Sequence, residues 1–138
     1  MKKKNLKLCE QLLPEIELKA SQLIQFLKEY GFKIKKPYIE ALENPYNHVV
    51  LIKFNINLVY QNRNLVSVEF VAMPTDDNKF NYSAYVIEGT GDTPTMRNFM
   101  TEMNYIGKKK YYSLDDLISV FKKRNKETFV SFRDLING

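Results

Sequence analysis

The chain has 138 residues, 44% hydrophobic and 27% charged, with 21 Lys and Arg against 16 Asp and Glu, one His and one Cys. That size and composition fit one domain, 1–138, able to bury a core. One cysteine excludes an internal disulfide, and one His with one Cys leaves too few ligands for a His/Cys zinc site. The charge is segregated: residues 1–36 carry nine Lys/Arg and four Asp/Glu, residues 37–107 four and eight, and residues 108–138 eight and four.

The start, Met1-Lys2-Lys3-Lys4, is charged, but Asn5 to Gln11 is too polar for the apolar part of a signal peptide, so a cytoplasmic location is expected. No apolar run approaches the ~18 residues of a bilayer span, so no membrane partner is expected. Residues 5–13 read as a short helical segment. Pro14 suits the first position of a second helix. Ile16, Ala20, Leu23, Leu27 and Tyr30 recur at helical spacing, and Gly31 is a natural stop. Phe32 to Lys35 alternates briefly as a strand before Pro37. Asn44-Pro45-Tyr46-Asn47 reads as a turn.

From Leu51 onward the alternation is clean. Ile52, Phe54, Ile56 and Leu58 face one way, and Lys53, Asn55 and Asn57 the other. Gln61 to Asn64 reads as a hairpin loop. Val66, Val68, Phe70 and Ala72 form the next strand, Pro74 to Lys79 a turn, and Phe80, Tyr82, Ala84 and Val86 another strand. Gly89-Thr90-Gly91-Asp92 is a connector. Thr93 caps a helix with Pro94 at its first position and Met96, Met100 and Met103 inward, ending at Gly107. Ser113 opens a last helix carrying Leu114, Leu117, Ile118 and Phe121. Thr128 to Phe132 reads as a final strand or a packed tail. The fold class is α+β: an antiparallel meander of three to four strands, with an N-terminal helix and two C-terminal helices packed on one face, in the order α-β-β-β-α-α.

Chemistry-bearing residues are sparse. His48 reads as a strand-edge histidine and Cys9 as a packed thiol. Asp76-Asp77 and Asp115-Asp116 are neighbours in sequence, which point to different faces of regular structure and make no ready acid/base couple or metal clamp. Gly89-Thr90-Gly91 lacks the later glycine of a dinucleotide fingerprint. No cofactor, metal or catalytic set is expected.

The basic clusters carry the functional expectation. Lys108, Lys109 and Lys110 run into Tyr111 and Tyr112. Lys33, Lys35 and Lys36 precede Tyr38. Lys122, Lys123 and Arg124 close the last helix with Lys126. Lysines neutralise phosphates and tyrosines offer stacking rings, the pairing that single-strand binding uses. Seventeen Lys and thirteen Asn are also what AT-rich codons supply, so part of the lysine excess reflects genome composition. The polar strand face, with Lys53, Asn55, Asn57, Ser67, Glu69, Asn81, Ser83 and Tyr85, reads as a wet recognition surface.

The expectation is a small non-enzymatic binding protein of the accessory or inhibitor type that phages and other mobile elements encode. It would dock through its basic surfaces on a nucleic-acid-handling protein complex and compete with the RNA or DNA there. The alternatives are direct RNA or single-stranded DNA binding, and a His-poor ribonuclease using Lys, Tyr and Glu.

Overall fold

Alternating apolar residues make the middle of the chain a sheet, and helical apolar stripes on either side cover one face of it. The computed structural model describes residues 2–60, 63–89 and 93–137. Gln61 and Asn62 of the hairpin loop, and Thr90, Gly91 and Asp92 of the glycine-containing connector, lie outside them. The elements run α1 (Lys2–Lys28), β1 (Ile39–Glu43), β2 (Val50–Tyr60), β3 (Arg63–Pro74), β4 (Phe80–Gly89), α2 (Pro94–Gly107) and α3 (Leu114–Asn137). The sheet is antiparallel throughout, in the order β1-β2-β3-β4. The class is therefore α+β, with the order α-β-β-β-β-α-α.

Four expectations change. The two N-terminal helical segments are one helix of 27 residues with Pro14 inside it. Pro14 gives no N–H to the carbonyl of Glu10. The helix continues because its buried stripe does: Cys9, Ile16, Ala20, Leu23 and Leu27 all lie in the core, on both sides of the proline. Gly31, at φ 92°, then ends the element in a conformation that side chains disfavour.

The short strand expected at Phe32–Lys35 is only a single bridge, from Lys33 to Val59. The true edge strand is β1, with Ile39 opposite Phe54 and Glu43 opposite Val50. Its residues are mostly half-buried on both faces. Nothing in Ile-Glu-Ala-Leu-Glu alternates cleanly, so periodicity had no signal to offer there. The expected turn follows it: the Asn44 side chain accepts from the N–H of Tyr46 at 2.8 Å, and His48 adopts φ 59°.

The residues 128–132 are neither strand nor tail; they lie well inside α3, in its second half. Phe121, Phe129 and Phe132 fall on one helical face and are buried. Lys122, Lys123 and Arg124 consequently lie inside the helix and do not close it. Ser113 caps α3 as expected, its hydroxyl accepting from the N–H of Asp116 at 3.3 Å. Thr93 caps α2 in the same way, accepting from Met96 at 3.1 Å.

The wet face is only partly wet. Ser67 and Glu69 are 8% and 7% exposed, covered by cross-strand neighbours. Ser67 donates to Asn57 at 2.6 Å, and the Tyr85 hydroxyl donates to Glu69, which also lies 3.9 Å from the Lys53 ammonium. Ser67 and Glu69 are thus satisfied by neighbours in the row, whereas the buried Asn81 Oδ1 has no partner among the described residues.

The core lies between the sheet and the three helices. Phe54 and Phe70 stack at 4.9 Å across β2 and β3, and Phe70 meets Phe121 of α3 at 5.5 Å. α2 packs closely on β4 at Gly107, where a Cβ would sit 3.3 Å from the Ala84 carbonyl oxygen. Among the described residues no helix is long and apolar enough to cross a membrane.

Candidate functional site

The segment between α2 and α3 is held to the sheet. Tyr111 and Tyr82 exchange both backbone hydrogen bonds, at 2.9 and 2.6 Å, so this loop forms a fifth lane beside β4. That anchor fixes where Lys108, Lys109, Lys110 and Tyr112 emerge; all four are exposed, Tyr112 by 82%.

Helical spacing brings two further stripes to the same place. Glu102, Tyr105 and Lys109 descend one side of α2 and its C-terminal extension. Val120, Lys123, Arg124 and Glu127 line the facing side of α3, with Lys126 beside them. With Tyr111 they enclose an open cleft of about 610 Å³. Four cations thus meet two carboxylates there, a net of two positive charges.

Tyr105 organises the cleft. The Arg124 guanidinium lies 3.6 Å from its ring centroid and the Lys109 ammonium 4.3 Å. The Lys109 ammonium also donates to the Tyr105 hydroxyl at 2.5 Å. That bond, and then the charge of Lys109, pull the Tyr105 hydroxyl below its ordinary value near 10.0. Arg124 is aimed further by Glu102, whose carboxylate accepts from its Nε at 2.6 Å. The guanidinium is therefore positioned by stacking and by one charge-assisted bond before any ligand arrives. Beneath the helix interface, Asn125 is fully buried, its amide donating to the Phe121 carbonyl at 3.0 Å.

The expected site residues divide into three groups. Lys109, Tyr111, Lys123 and Arg124 line the cleft, and Lys108, Lys110 and Tyr112 project from the loop at its rim. Lys122 turns the other way: its ammonium lies 4.7 Å from the Phe26 ring of α1, beside Lys19 and Asp115. Lys33, Lys35 and Lys36 are exposed on a different corner. Lys33 pairs with Val59, and Tyr111 pairs with Tyr82, which is registered through Ala72 to Ile52. Lys33 and Tyr111 are thus separated along the sheet by four lanes of ~4.8 Å and by the seven residues from Ile52 to Val59 at ~3.3 Å each, about 30 Å along the diagonal. Lys33 therefore lies at the opposite edge of the sheet from the Lys108–Lys110 loop, while Phe32 beside it packs on Phe129 and Phe132 of α3 at 6.0 and 5.5 Å.

Sequence reasoning missed Tyr105, Glu102 and Glu127, and grouped Lys126 with the basic cluster at the helix end. The i, i+3, i+7 spacing of Glu102, Tyr105 and Lys109 was the available signal, but it marks an exposed stripe and says nothing of the helix opposite.

The two residues with intrinsic reactivity lie elsewhere. Cys9 is fully buried, and burial pushes its thiol up to about 11. His48 sits at the β1–β2 turn, with Nδ1 3.0 Å from the Glu43 carboxylate. Among the described residues there is no group of three or more His, Cys, Asp or Glu side chains fit to hold a metal ion.

No protein-family model matches the chain, and neither does any curated protein or solved structure.

Proposed function

We propose that this chain is a non-enzymatic binding protein. It docks through the cationic α2–α3 face on a nucleic-acid-handling protein complex and competes with the RNA or DNA there. One observation carries the reading: two consecutive helices and the loop between them bring Lys109, Lys123, Arg124 and Lys126 together with Tyr105 and Tyr111 in one pre-shaped cleft. Excess positive charge on a concave, aromatic-lined surface favours an anionic partner and accelerates its encounter. Arg124 and Tyr105 are also residue types that dominate interface energetics when central to a patch.

The test is a tagged capture from native host lysate, divided into nuclease-treated and untreated halves. A stoichiometric protein that survives nuclease, and is lost with Lys123→Glu/Lys126→Glu, is the expected result. Both lysines are exposed, so the fold tolerates the exchange. Undiminished capture by the double variant would refute the proposal.

Direct binding of single-stranded RNA or DNA is the second reading. It is favoured by Tyr112, an 82% exposed ring beside three lysines at the rim of the cleft. It requires affinity to fall with salt at a log–log slope near −0.7 per phosphate neutralised. Recovery of nucleic acid without a stoichiometric protein would select it.

A further inference from the structure

The two edges of the sheet are finished differently. Along β4 the outward backbone groups of Tyr82 are taken by Tyr111, and α2 packs over the strand. Hydrogen bonding alternates along an antiparallel strand, so every second residue turns its N–H and carbonyl away from its partner. In the β1–β2 turn the N–H of Asn44 reaches the carbonyl of Val49. The same phase makes Leu42 with Leu51 and Glu40 with Lys53 the bonded pairs, and turns the backbones of Ile39, Ala41 and Glu43 outward. Among the described residues nothing bonds the outward groups of Ile39 and Ala41.

This edge is also open in space. Between Glu17 of α1 and residues 36–39 lies a cleft of about 370 Å³. Tyr38 and Tyr46, 75% and 93% exposed, stand at the two ends of β1. A row of unbonded donors and acceptors is completed by an extended strand.

Charge and register select which strand. Lys33, Lys35 and Lys36 precede β1, whereas Glu40 and Glu43 lie within it. Each end of the edge therefore complements the opposite end of a copy running antiparallel. The outward residues are odd-numbered and must meet odd-numbered residues. With Ala41 opposite Ala41 all of β1 pairs: Ile39 meets Glu43, and Glu40 meets Leu42. An axis at Glu40 sets carboxylate against carboxylate, and an axis at Leu42 pairs only part of the strand. In the Ala41 register Pro37 and Pro45 also fall opposite each other, and they stop the pairing at both ends.

We propose that β1 pairs antiparallel with β1 of a second copy, about a two-fold axis at Ala41, joining two four-stranded sheets into one. Backbone hydrogen bonds between the two Ala41 residues, and between Ile39 of each copy and Glu43 of the other, form the contact. Such an interface is isologous and small, so the dimer is weak and concentration-dependent. The α2–α3 cleft lies beside β4, at the other edge, and stays open in it.

Sedimentation velocity of the full chain from about 1 μM to about 1 mM should show a reversible monomer–dimer equilibrium. Ala41→Pro removes the outward N–H on both sides of the axis and should weaken dimerisation about tenfold. The β1–β2 bonds are untouched, because that N–H points away from β2. Lys35→Glu/Lys36→Glu and Glu43→Lys should each weaken dimerisation as well, and an equimolar mixture of these two chains should dimerise again. All three side chains are exposed, so both chains keep the fold. A dimer indifferent to Ala41→Pro, or a mixture of the charge variants that stays monomeric, would overturn the proposal. A wild-type chain that is monomeric throughout also overturns it, and loss of the lysate partner in Ala41→Pro would then assign the edge to a partner's strand. Dimerisation and docking fail separately, since Lys123→Glu/Lys126→Glu should leave the dimer intact.

Discussion

Phe129 is the side chain on which the helical layer turns. Its ring is fully buried and lies 5.6 to 6.2 Å, centroid to centroid, from Phe26, Tyr30, Phe32, Phe99 and Phe121. Those neighbours come from α1, the segment after it, α2 and α3. Phe129→Ala removes one ring and leaves a cavity walled by separate elements, each held by its own packing. Phe→Ala exchanges in cores cost about 3–5 kcal/mol, and the cost rises when the site is unable to collapse. We expect the upper half of that range. At a total stability of about 5–15 kcal/mol the variant stays folded at 25 °C but loses much of its margin. Its thermal midpoint should drop by about 10–20 °C. Urea unfolding followed by far-UV circular dichroism measures the difference, with Val130→Ala as a half-buried neighbour expected to cost much less. A cost for Phe129→Ala below about 1 kcal/mol at unchanged m-value would mean that residues 128–132 are peripheral, and would refute α3 as the organiser of the core.

Three other outcomes follow from named contacts. Cys9 holds its proton more tightly folded than unfolded, so its contribution to stability is complete below about pH 9 and is lost as pH rises towards 11; comparing wild type with Cys9→Ala across that window isolates it from Lys and Tyr titration, and parallel pH profiles would contradict the burial. Tyr85→Phe leaves one oxygen of the buried Glu69 carboxylate without its donor and should cost about 1–3 kcal/mol in chemical denaturation, whereas no cost would mean that the Tyr85 bond is not made in solution. Exchanging Lys33, Lys35 and Lys36 for Glu should leave partner capture unchanged, because these residues do not line the α2–α3 cleft; a loss as large as that of Lys123→Glu/Lys126→Glu would require a docking surface that extends beyond the cleft.

The sheet was legible because its chemistry is local. One buried face imposes a period of two, and β2, β3 and β4 obey it through Ile52, Phe54, Val68, Phe70, Tyr82 and Ala84. The caps at Thr93 and Ser113 and the stop at Gly31 were legible for the same reason, since each is a side-chain-to-backbone or φ requirement within a few residues. The sequence alone also determined that basic charge and tyrosine occur together in residues 108–112, and that only one His and one Cys exist for catalysis.

What tertiary structure decided lies where local preference and burial disagree. Pro14 should open a helix, but a buried stripe from Cys9 to Leu27 carries the helix through it. Thr128 to Phe132 is rich in residues that favour strands, but only a helix puts Phe121, Phe129 and Phe132 on one buried face. β1 was invisible because an edge strand half-buried on both sides has no period. The cleft was out of reach for a deeper reason. A stripe on α2 and a stripe on α3 carry no mark of each other in sequence, and only the packing of the two helices over β4 brings Tyr105 against Arg124 while sending Lys122 to α1.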